Sequence, residues 1–328
     1  MEQQYPLISI VVLNWNGRKI IKRCLDAVFS QTYPNFEVIL SDNGSTDGSV
    51  EFVRKNYPKV KIIENGRNLG CAEGNNVGMR IAKGKYICNL ANDTKPDKNW
   101  LMEMFKVIES DKKIGAVGPK LVFMHDPKII NAAGTIATKD GLVRYRGWKE
   151  KDVGQYDKVE EVFAVNNVAC MYRKKALQDV GLLDPEFFIY NEDADLGWRM
   201  RLRGWKSVYV PTAIVQHEVG TTMGKYSEKG AYYAHRNWIW MIIKNFSLSS
   251  LILYSPFIIV WNIISVLRGL TRGSLINLIA IKDALKDLPR VLKLRKEIQS
   301  KRKIPEWEIR RFMVYPPYFK FILRFLKA

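Results

Sequence analysis

Across the first third of the chain, short continuous runs of apolar, β-branched residues alternate with segments of helical period. That alternation leaves few folds open. Residues 8–13 (ISIVVL) read as a strand buried on both faces, the kind found in parallel sheets. Residues 36–40, 60–63 and 86–90 repeat the pattern. Between them, residues 18–31 place Ile20, Ile21, Cys24, Leu25 and Val28 on one helical face, and residues 48–56 and 70–83 also read as helices. The rotation predicts βαβ units and an α/β fold with a mostly parallel central sheet. Polar loops follow the strands at 14–17, 42–48 and 92–97, and ligands bind at that edge of open α/β sheets. Neither G-x-G-x-x-G nor G-x-x-x-x-G-K-[ST] occurs, which excludes the dinucleotide fingerprint and the P-loop.

From about residue 115 the pattern changes. GAVGPKLVF and VEEVFAVNNVACMYRKKAL alternate apolar with polar residues, predicting mixed or antiparallel strands. Residues 191–205 (NEDADLGWRMRLRGW) begin with acids and end with bases, as a helix macrodipole favours, and Gly204 is placed to end the helix. Asp195 and Arg199, four apart, read as an ion pair along it. A third region starts near residue 231. Residues 246–267 carry no charge over 22 residues, long enough for a bilayer span, yet Pro256, Asn262 and several Ser interrupt them and Arg268 and Arg272 follow. A helical hairpin lying in or shallowly under a membrane surface is the favoured reading. A span, and a buried core or interface helix, stay open.

Charge narrows the partners. The 52 Lys and Arg against 33 Asp and Glu leave a net charge of +19. That points to a polyanion: nucleic acid, an anionic membrane or a phosphorylated substrate. The excess is uneven, since residues 282–328 hold 14 Lys/Arg against 5 Asp/Glu. The four cysteines form no C-x-x-C or zinc spacing and read as buried free thiols of a reducing compartment. Three His argue against a multi-His metal site. The N-terminus lacks a basic stretch followed by a long apolar one, so no signal peptide is expected and the catalytic part is expected to be cytoplasmic.

Within NLANDTKPD (89–97), Asp93 sits in a loop at a strand end, where a lone Asp is ordinarily a turn or cap residue. Mg²⁺ or Mn²⁺ takes oxygen ligands and is commonly held by one or two carboxylates plus substrate phosphates. One carboxylate here suffices if a second ligand arrives from elsewhere in the fold.

In order along the chain stand ISIVVLNWNG, VILSDNGSTDGS, NLGCAEGNNVG, NLANDTKP, VGLLDPEFFIYNEDADLGWRMRLRGW and HEVGTT. Together, over roughly residues 7–245, they resemble the family 2 inverting glycosyltransferases of GT-A fold, and within them the bacterial rhamnosyltransferase-like branch. The resemblance implies a Rossmann-like catalytic domain over 1–230, with a nucleotide-binding half at about 7–115 and an acceptor-binding half at about 116–230. Residues 231–328 would then form a helical, basic and aromatic region that associates with a membrane. Asn14, Trp15, Asp42, Asn43, Asn68, Gly70, Asn75 and Asn92 match positions that contact the nucleotide. Asp93 matches the last position of the D-x-D metal motif, whose first position is Ala91 here, a departure that implies looser metal binding. His217 resembles the distant second ligand of a Mn²⁺ or Mg²⁺ ion. Asp193 stands where the family keeps its general base, with Glu192 beside it to orient the acceptor, and Arg236 is a candidate to assist the leaving diphosphate.

The activity implied is metal-dependent, inverting transfer of a single sugar to a glycan or polyprenyl-linked acceptor in cell-surface polysaccharide synthesis, with dTDP-rhamnose the favoured donor and UDP-hexoses next. Nucleic-acid binding would use the basic surplus but leaves Asp42, Asp93, Glu192 and Asp193 without a role. A catalytically inactive, membrane-bound scaffold is the alternative that Ala91 favours. No Q-x-x-R-W motif supports a processive synthase. The basic, aromatic segment RRFMVYPPYFKFILRFLKA suits an anionic membrane surface, here the inner face of the cell membrane. A homodimer stays open.

Overall fold

The computed structural model describes residues 5–220 and 227–319. β1 (Ile8–Asn14), β2 (Phe36–Asp42), β3 (Val60–Glu64) and β4 (Tyr86–Ala91) alternate with α1 (Ile21–Phe29), α2 (Ser49–Asn56) and α3 (Gly70–Ile81). The four strands lie parallel in the order 3-2-1-4. This is the predicted alternation, and the buried runs of β1 and β4 explain it: both faces are covered. α1 begins at Ile21 and not at residue 18, because the Gly17 carbonyl accepts from the N–H groups of Ile20 and Ile21 and the chain turns first.

The second half extends the same sheet. After β5 (Thr94–Pro96) and α4 (Trp100–Ser110) come β6 (Ile114–Phe123), β7 (Asp126–Ala132), β8 (Thr135–Thr138), β9 (Val143–Tyr145), β10 (Glu160–Val162) and β11 (Ala169–Arg173). Next are α5 (Lys174–Val180), α6 (Glu192–Leu202) and β12 (Lys206–His217). β11 inserts antiparallel between β4 and β6, β12 runs parallel to β6, and β5 pairs antiparallel with the end of β12. The result is a mixed α/β fold around a mostly parallel central sheet.

α7 (Glu228–Asn245), α8 (Leu248–Leu270), α9 (Ile276–Lys286), α10 (Leu288–Ser300) and α11 (Glu306–Arg310) follow, and β13 (Met313–Val314) joins β8 and β9 in a small second sheet. Residue 230, where the catalytic domain is expected to end, lies in the first turn of α7. That helix shares a core with α6 and residues 163–164, through Trp238, Met241, Trp198 and Phe163.

The hairpin expected within 246–267 is not there. Those residues belong to one continuous helix, α8, and the reversal comes after it, at 271–275. Two local bonds explain why the interruptions do not break it. Pro256 cannot donate to the Ile252 carbonyl, and the Ser255 hydroxyl donates there instead at 2.8 Å. Asn262 turns its amide inward, donating to the Ile258 carbonyl at 2.9 Å and placing its oxygen 3.1 Å from His235 Nε2 of α7. The other face is left apolar and exposed, including Leu248, Ile252, Ile259 and Ile263. Among the described residues α8 is the one helix long and apolar enough to cross a membrane, and 17% of its most apolar stretch is buried. The described part of the basic, aromatic tail packs on protein: Tyr315 stacks on Phe319, and Lys139 lies 3.2 Å from the centre of the Tyr315 ring. Residues 320–328 of that tail, and Thr221 and Thr222 of HEVGTT, lie outside the described residues.

Candidate active site

Strand register sets the nucleotide side. Asn14 and Asp42 are paired neighbours at the ends of β1 and β2. The Asn14 amide donates to Asp42 Oδ1 at 2.8 Å and to the hydroxyls of Ser49 and Ser45, while its oxygen accepts from Asn92 Nδ2 at 2.7 Å. Asp42 also accepts from the Ser45 N–H and hydroxyl, so its carboxylate closes the 42–45 turn. Asn43 donates to the Gly70 carbonyl at 2.9 Å and accepts from Asn65. Asn68 caps the Gly70 N–H at 2.8 Å, and Asn75 turns back to the Cys71 carbonyl within α3. Gly70 has φ +78°, and a Cβ there would meet Phe188 at 2.5 Å, so both conformation and contact require glycine. Trp15, by contrast, projects at the strand edge and is 37% exposed. Of the residues expected at the nucleotide, Asn14, Asp42, Asn43, Asn68, Gly70 and Asn92 form one connected polar rim along the strand ends, Asn75 bonds back within α3, and Trp15 follows Asn14 beside the rim.

The candidate metal pair is made by β5 and β12. Their antiparallel register sets His217 opposite Thr94, which brings His217 Nε2 to 3.6 Å from Asp93 Oδ1. Asp93 is 7% exposed, and its carbonyl accepts from the Glu218 N–H. His217 Nδ1 lies 3.2 Å from Asn131 Oδ1. An amide oxygen can only accept, so Nδ1 carries the proton and the lone pair of the neutral ring is on Nε2, the tautomer a metal-ligating histidine adopts. The separation is too long for a hydrogen bond and suits two ligand atoms on one cation, each at about 2.1 Å. No group of three or more His, Cys, Asp or Glu suited to a metal occurs among the described residues. The residues present therefore fit Mn²⁺ or Mg²⁺ completed by phosphate oxygens, and do not fit an all-protein cage.

The carboxylate pair sits at the start of α6. Phe188, Tyr190 and Asn191 all have positive φ without being glycine, a strained approach that has to be held from outside. Asn237 of α7 does this, its amide reaching the carbonyls of Phe187, Ile189 and Tyr190 at 2.8 Å each. The Phe188 carbonyl in turn accepts from Cys71 and Ala72 at the start of α3. Arg236, expected beside the diphosphate, donates to the Glu186 carbonyl at 2.7 Å and lies 4.1 Å over the Trp240 ring, clamping the same turn. α6 itself is pinned by the expected Asp195–Arg199 pair at 2.8 Å and by Lys244, buried 2.9 Å from Asp195 and 2.7 Å from Asp184. Burial alone would raise the Asp195 pKa, but Lys244 and Arg199 outweigh it and bring it down to about 2.

Glu192 and Asp193 are treated differently by their surroundings. Burial, then the Asp193 charge, push Glu192 up to about 8, and Glu192 Oε2 is buried without a hydrogen-bond partner. Burial raises Asp193 too, but it accepts from the Ala194 N–H at 2.7 Å and the Asn167 N–H at 3.3 Å, which favour its anion. Both carboxyls are raised by burial, and the two N–H bonds make Asp193 the easier member of the pair to ionise. Asp193 also lines a cavity of about 840 Å³ together with Tyr145, Tyr190, Trp238 and Arg268. Burial and the charges of Asp193 and Glu192 raise the Tyr145 phenol.

Two strand-edge bonds join the halves. Ala91, two residues before Asp93, donates its N–H to the Val168 carbonyl at 2.8 Å, and its neighbour Asn167 holds Asp193. The turn carrying Asp93 is thus tied through residues 167–168 to the entrance of α6 that carries Asp193. Asn167, Asn237 and Lys244 escaped sequence reasoning. Asn237 stands next to Arg236 in YYAHRN, and the signal there was a polar residue inside an otherwise apolar helix face.

A stability test follows from Glu192. Its folded pKa lies above its unfolded value, so the folded state holds a proton that the unfolded chain releases. That contribution is full below the ordinary Glu range and is lost as pH rises through about 8. Glu192→Gln should remove the loss, so its melting temperature should gain on wild type as pH goes from 5 to 9. Parallel curves across that range would contradict it.

Comparison with known proteins gives a consistent picture. The family model described as Glycosyl transferase family 2 matches residues 9–181. An N-acetylglucosaminyl-diphospho-decaprenol L-rhamnosyltransferase of Mycobacterium tuberculosis is 26% identical over 243 residues, covering 67% of this chain and 78% of that protein. Among solved structures, the mannosyltransferase PcManGT from Pyrobaculum calidifontis, in complex with GDP-Man and Mn²⁺, aligns over 91% of this chain and 84% of its own, with a TM-score of 0.54 and 16% identity. GalNAc-T7 with UDP, GalNAc and Mn²⁺ aligns over 74% of this chain with a TM-score of 0.60 and 18% identity, and this chain spans about half (48%) of its length.

Proposed function

The chain belongs to glycosyl transferase family 2, and from that premise we propose that it moves one sugar, with inversion, from a nucleoside diphosphate donor to a glycan or lipid-linked acceptor in cell-surface polysaccharide synthesis. The observation that carries this reading is the Asp93–His217 pair, linked to the segment that holds the Asp193 carboxylate by the Ala91–Val168 and Asn167–Asp193 bonds. dTDP-rhamnose is the favoured donor, supported by the likeness to the mycobacterial rhamnosyltransferase, with UDP-hexoses next.

In this mechanism the rim of Asn14, Asp42, Asn43, Asn68, Gly70, Asn75 and Asn92 receives base and ribose, and Trp15 offers the base an apolar face. Asp93 and His217 would hold Mn²⁺ or Mg²⁺, which when bound neutralises charge growing on the diphosphate. Asp193, whose anion two backbone N–H groups favour, takes the proton of the acceptor hydroxyl as its oxygen attacks the anomeric carbon opposite the leaving group. Glu192, which adjoins Asp193 but does not line the cavity that Asp193 enters, acts on the acceptor through Asp193. Arg236 acts through the turn that presents the pair. The exposed apolar face of α8 supports attachment to the inner face of the cell membrane.

The test is a donor panel. dTDP-rhamnose, UDP-glucose, UDP-N-acetylglucosamine and GDP-mannose are each incubated with Mn²⁺ and a membrane lipid extract, and sugar transfer to lipid is followed. Transfer from one donor with an inverted anomeric centre is the expected result. A retained configuration would overturn the mechanism.

A further inference from the structure

We infer that the cavity running from Asp193 to the α8–α9 turn seats a lipid-linked acceptor, with Arg268 and Arg272 holding its diphosphate and the exposed apolar strip of α8 and α9 carrying its hydrocarbon. This rests on the reading of Asp193 as the base. The lining combines a carboxylate with two guanidinium groups. Asp193 lines it from the start of α6, and Arg268, Arg272, Ser274 and Asn277 line it from the end of α8, the turn after it and the start of α9.

The other titratable groups in the lining do not supply positive charge of their own. Tyr145 and Tyr190 are phenols raised by burial, Glu228 is acidic, and burial lowers the His235 pKa while its Nε2 sits on Asn262. The cationic end is therefore the two arginines. Arg268 lies 5.9 Å over the Trp261 ring and forms no ion pair with any described residue, and α8 contributes no acid over Leu248–Leu270. The apolar strip begins at the same turn: Leu267, Leu270, Leu275, Leu278 and Ile279 are each between 45% and 58% exposed.

Carboxylate, guanidinium pair and the apolar strip beside the same turn supply one partner each for a molecule built of sugar hydroxyl, diphosphate and hydrocarbon. Guanidinium recognises phosphate through charge-assisted, bidentate bonds. A cavity of this size is ample for the sugar and phosphate portion. A neutral, water-soluble acceptor would use neither the arginines nor the strip.

The probe is geranylgeranyl diphosphate bound to the full chain in detergent, with geranylgeraniol, phosphatidylglycerol vesicles and UDP plus Mn²⁺ as comparisons. Arg268→Gln with Arg272→Gln should weaken geranylgeranyl diphosphate binding by about tenfold or more, as loss of charge-assisted bonds requires, and leave geranylgeraniol unchanged. UDP with Mn²⁺ should not displace the probe, and Asp93→Ala should retain it. Arg268→Gln alone, at an exposed side chain, gives a partial loss and guards against a folding defect in the double variant. Unchanged affinity in both variants overturns the inference, as does displacement by UDP, which would put the probe in the donor site. An equal loss of vesicle binding also overturns it, since the arginines would then serve a bulk anionic surface. Failure of the donor reading is seen separately, as absence of any nucleotide-induced thermal shift.

Discussion

Asp193→Asn should lower kcat by about two to four orders of magnitude, the range a positioned general base supplies, while nucleoside diphosphate binding stays at the wild-type level. Asparagine keeps the size of the side chain and one oxygen for the shorter bond from the Ala194 N–H, giving up only the 3.3 Å bond from the Asn167 N–H, so the α6 entrance should survive. The melting temperature should hold or rise, because the substitution removes a buried charge next to Glu192. Glu192→Gln provides the contrast. Glu192 already holds a proton at neutral pH, so the neutral isostere should retain most of the turnover at pH 7. Single-turnover rates with saturating donor check both. Equal, severe losses in the two variants would mean that the pair acts as a unit and that the division of roles is wrong. Near wild-type turnover in Asp193→Asn would remove it as the base.

The contrast between Asp193 and Glu192 marks how far sequence reasoning reaches. Both acids opened a predicted helix in NEDAD, and local sequence treats them alike. What separates them is long-range: the backbone of Asn167, brought in by β11, and the cavity that Asp193 enters and Glu192 does not. The parallel strands were legible because burial on both faces leaves continuous apolar runs. The short β7–β10 strands leave no such run. Arg236 and Asn237 show the same limit at one position. Charge drew attention to the arginine, yet the uncharged neighbour makes the three bonds that hold the strained turn. α8 was legible as an apolar segment, but its continuity past Pro256 depends on which carbonyl the Ser255 hydroxyl reaches. The proximity of Asp93 to His217 follows from pairing across more than a hundred residues, which no local pattern encodes.

That pairing carries the second large effect. Asp93→Ala should abolish the Mn²⁺-dependent part of nucleoside diphosphate binding and reduce transfer to background, with the fold intact. In wild type, a nucleoside diphosphate at about 100 times its dissociation constant should add roughly 2.7 kcal/mol of stability in the presence of Mn²⁺, a resolvable thermal shift. In the variant, the shift should fall to the level wild type shows with EDTA, because only His217 remains of the pair and one neutral imidazole cannot offset the charge between cation and phosphates. The turn at the end of β4 is held by the Asn92 amide on the Asn14 oxygen and by the Thr94 hydroxyl on the Ala91 carbonyl, bonds that the substitution leaves in place. Ala91 makes this a demanding experiment. With alanine at the first position of the D-x-D pattern, that carboxylate cannot compensate, and Asp93 has to supply the acidic ligand at this turn. A variant that keeps its Mn²⁺-dependent shift would move the cation elsewhere. A wild-type shift that is the same with EDTA as with Mn²⁺ would mean that the cationic surface alone holds the diphosphate, and that Asp93 and His217 pair for structure.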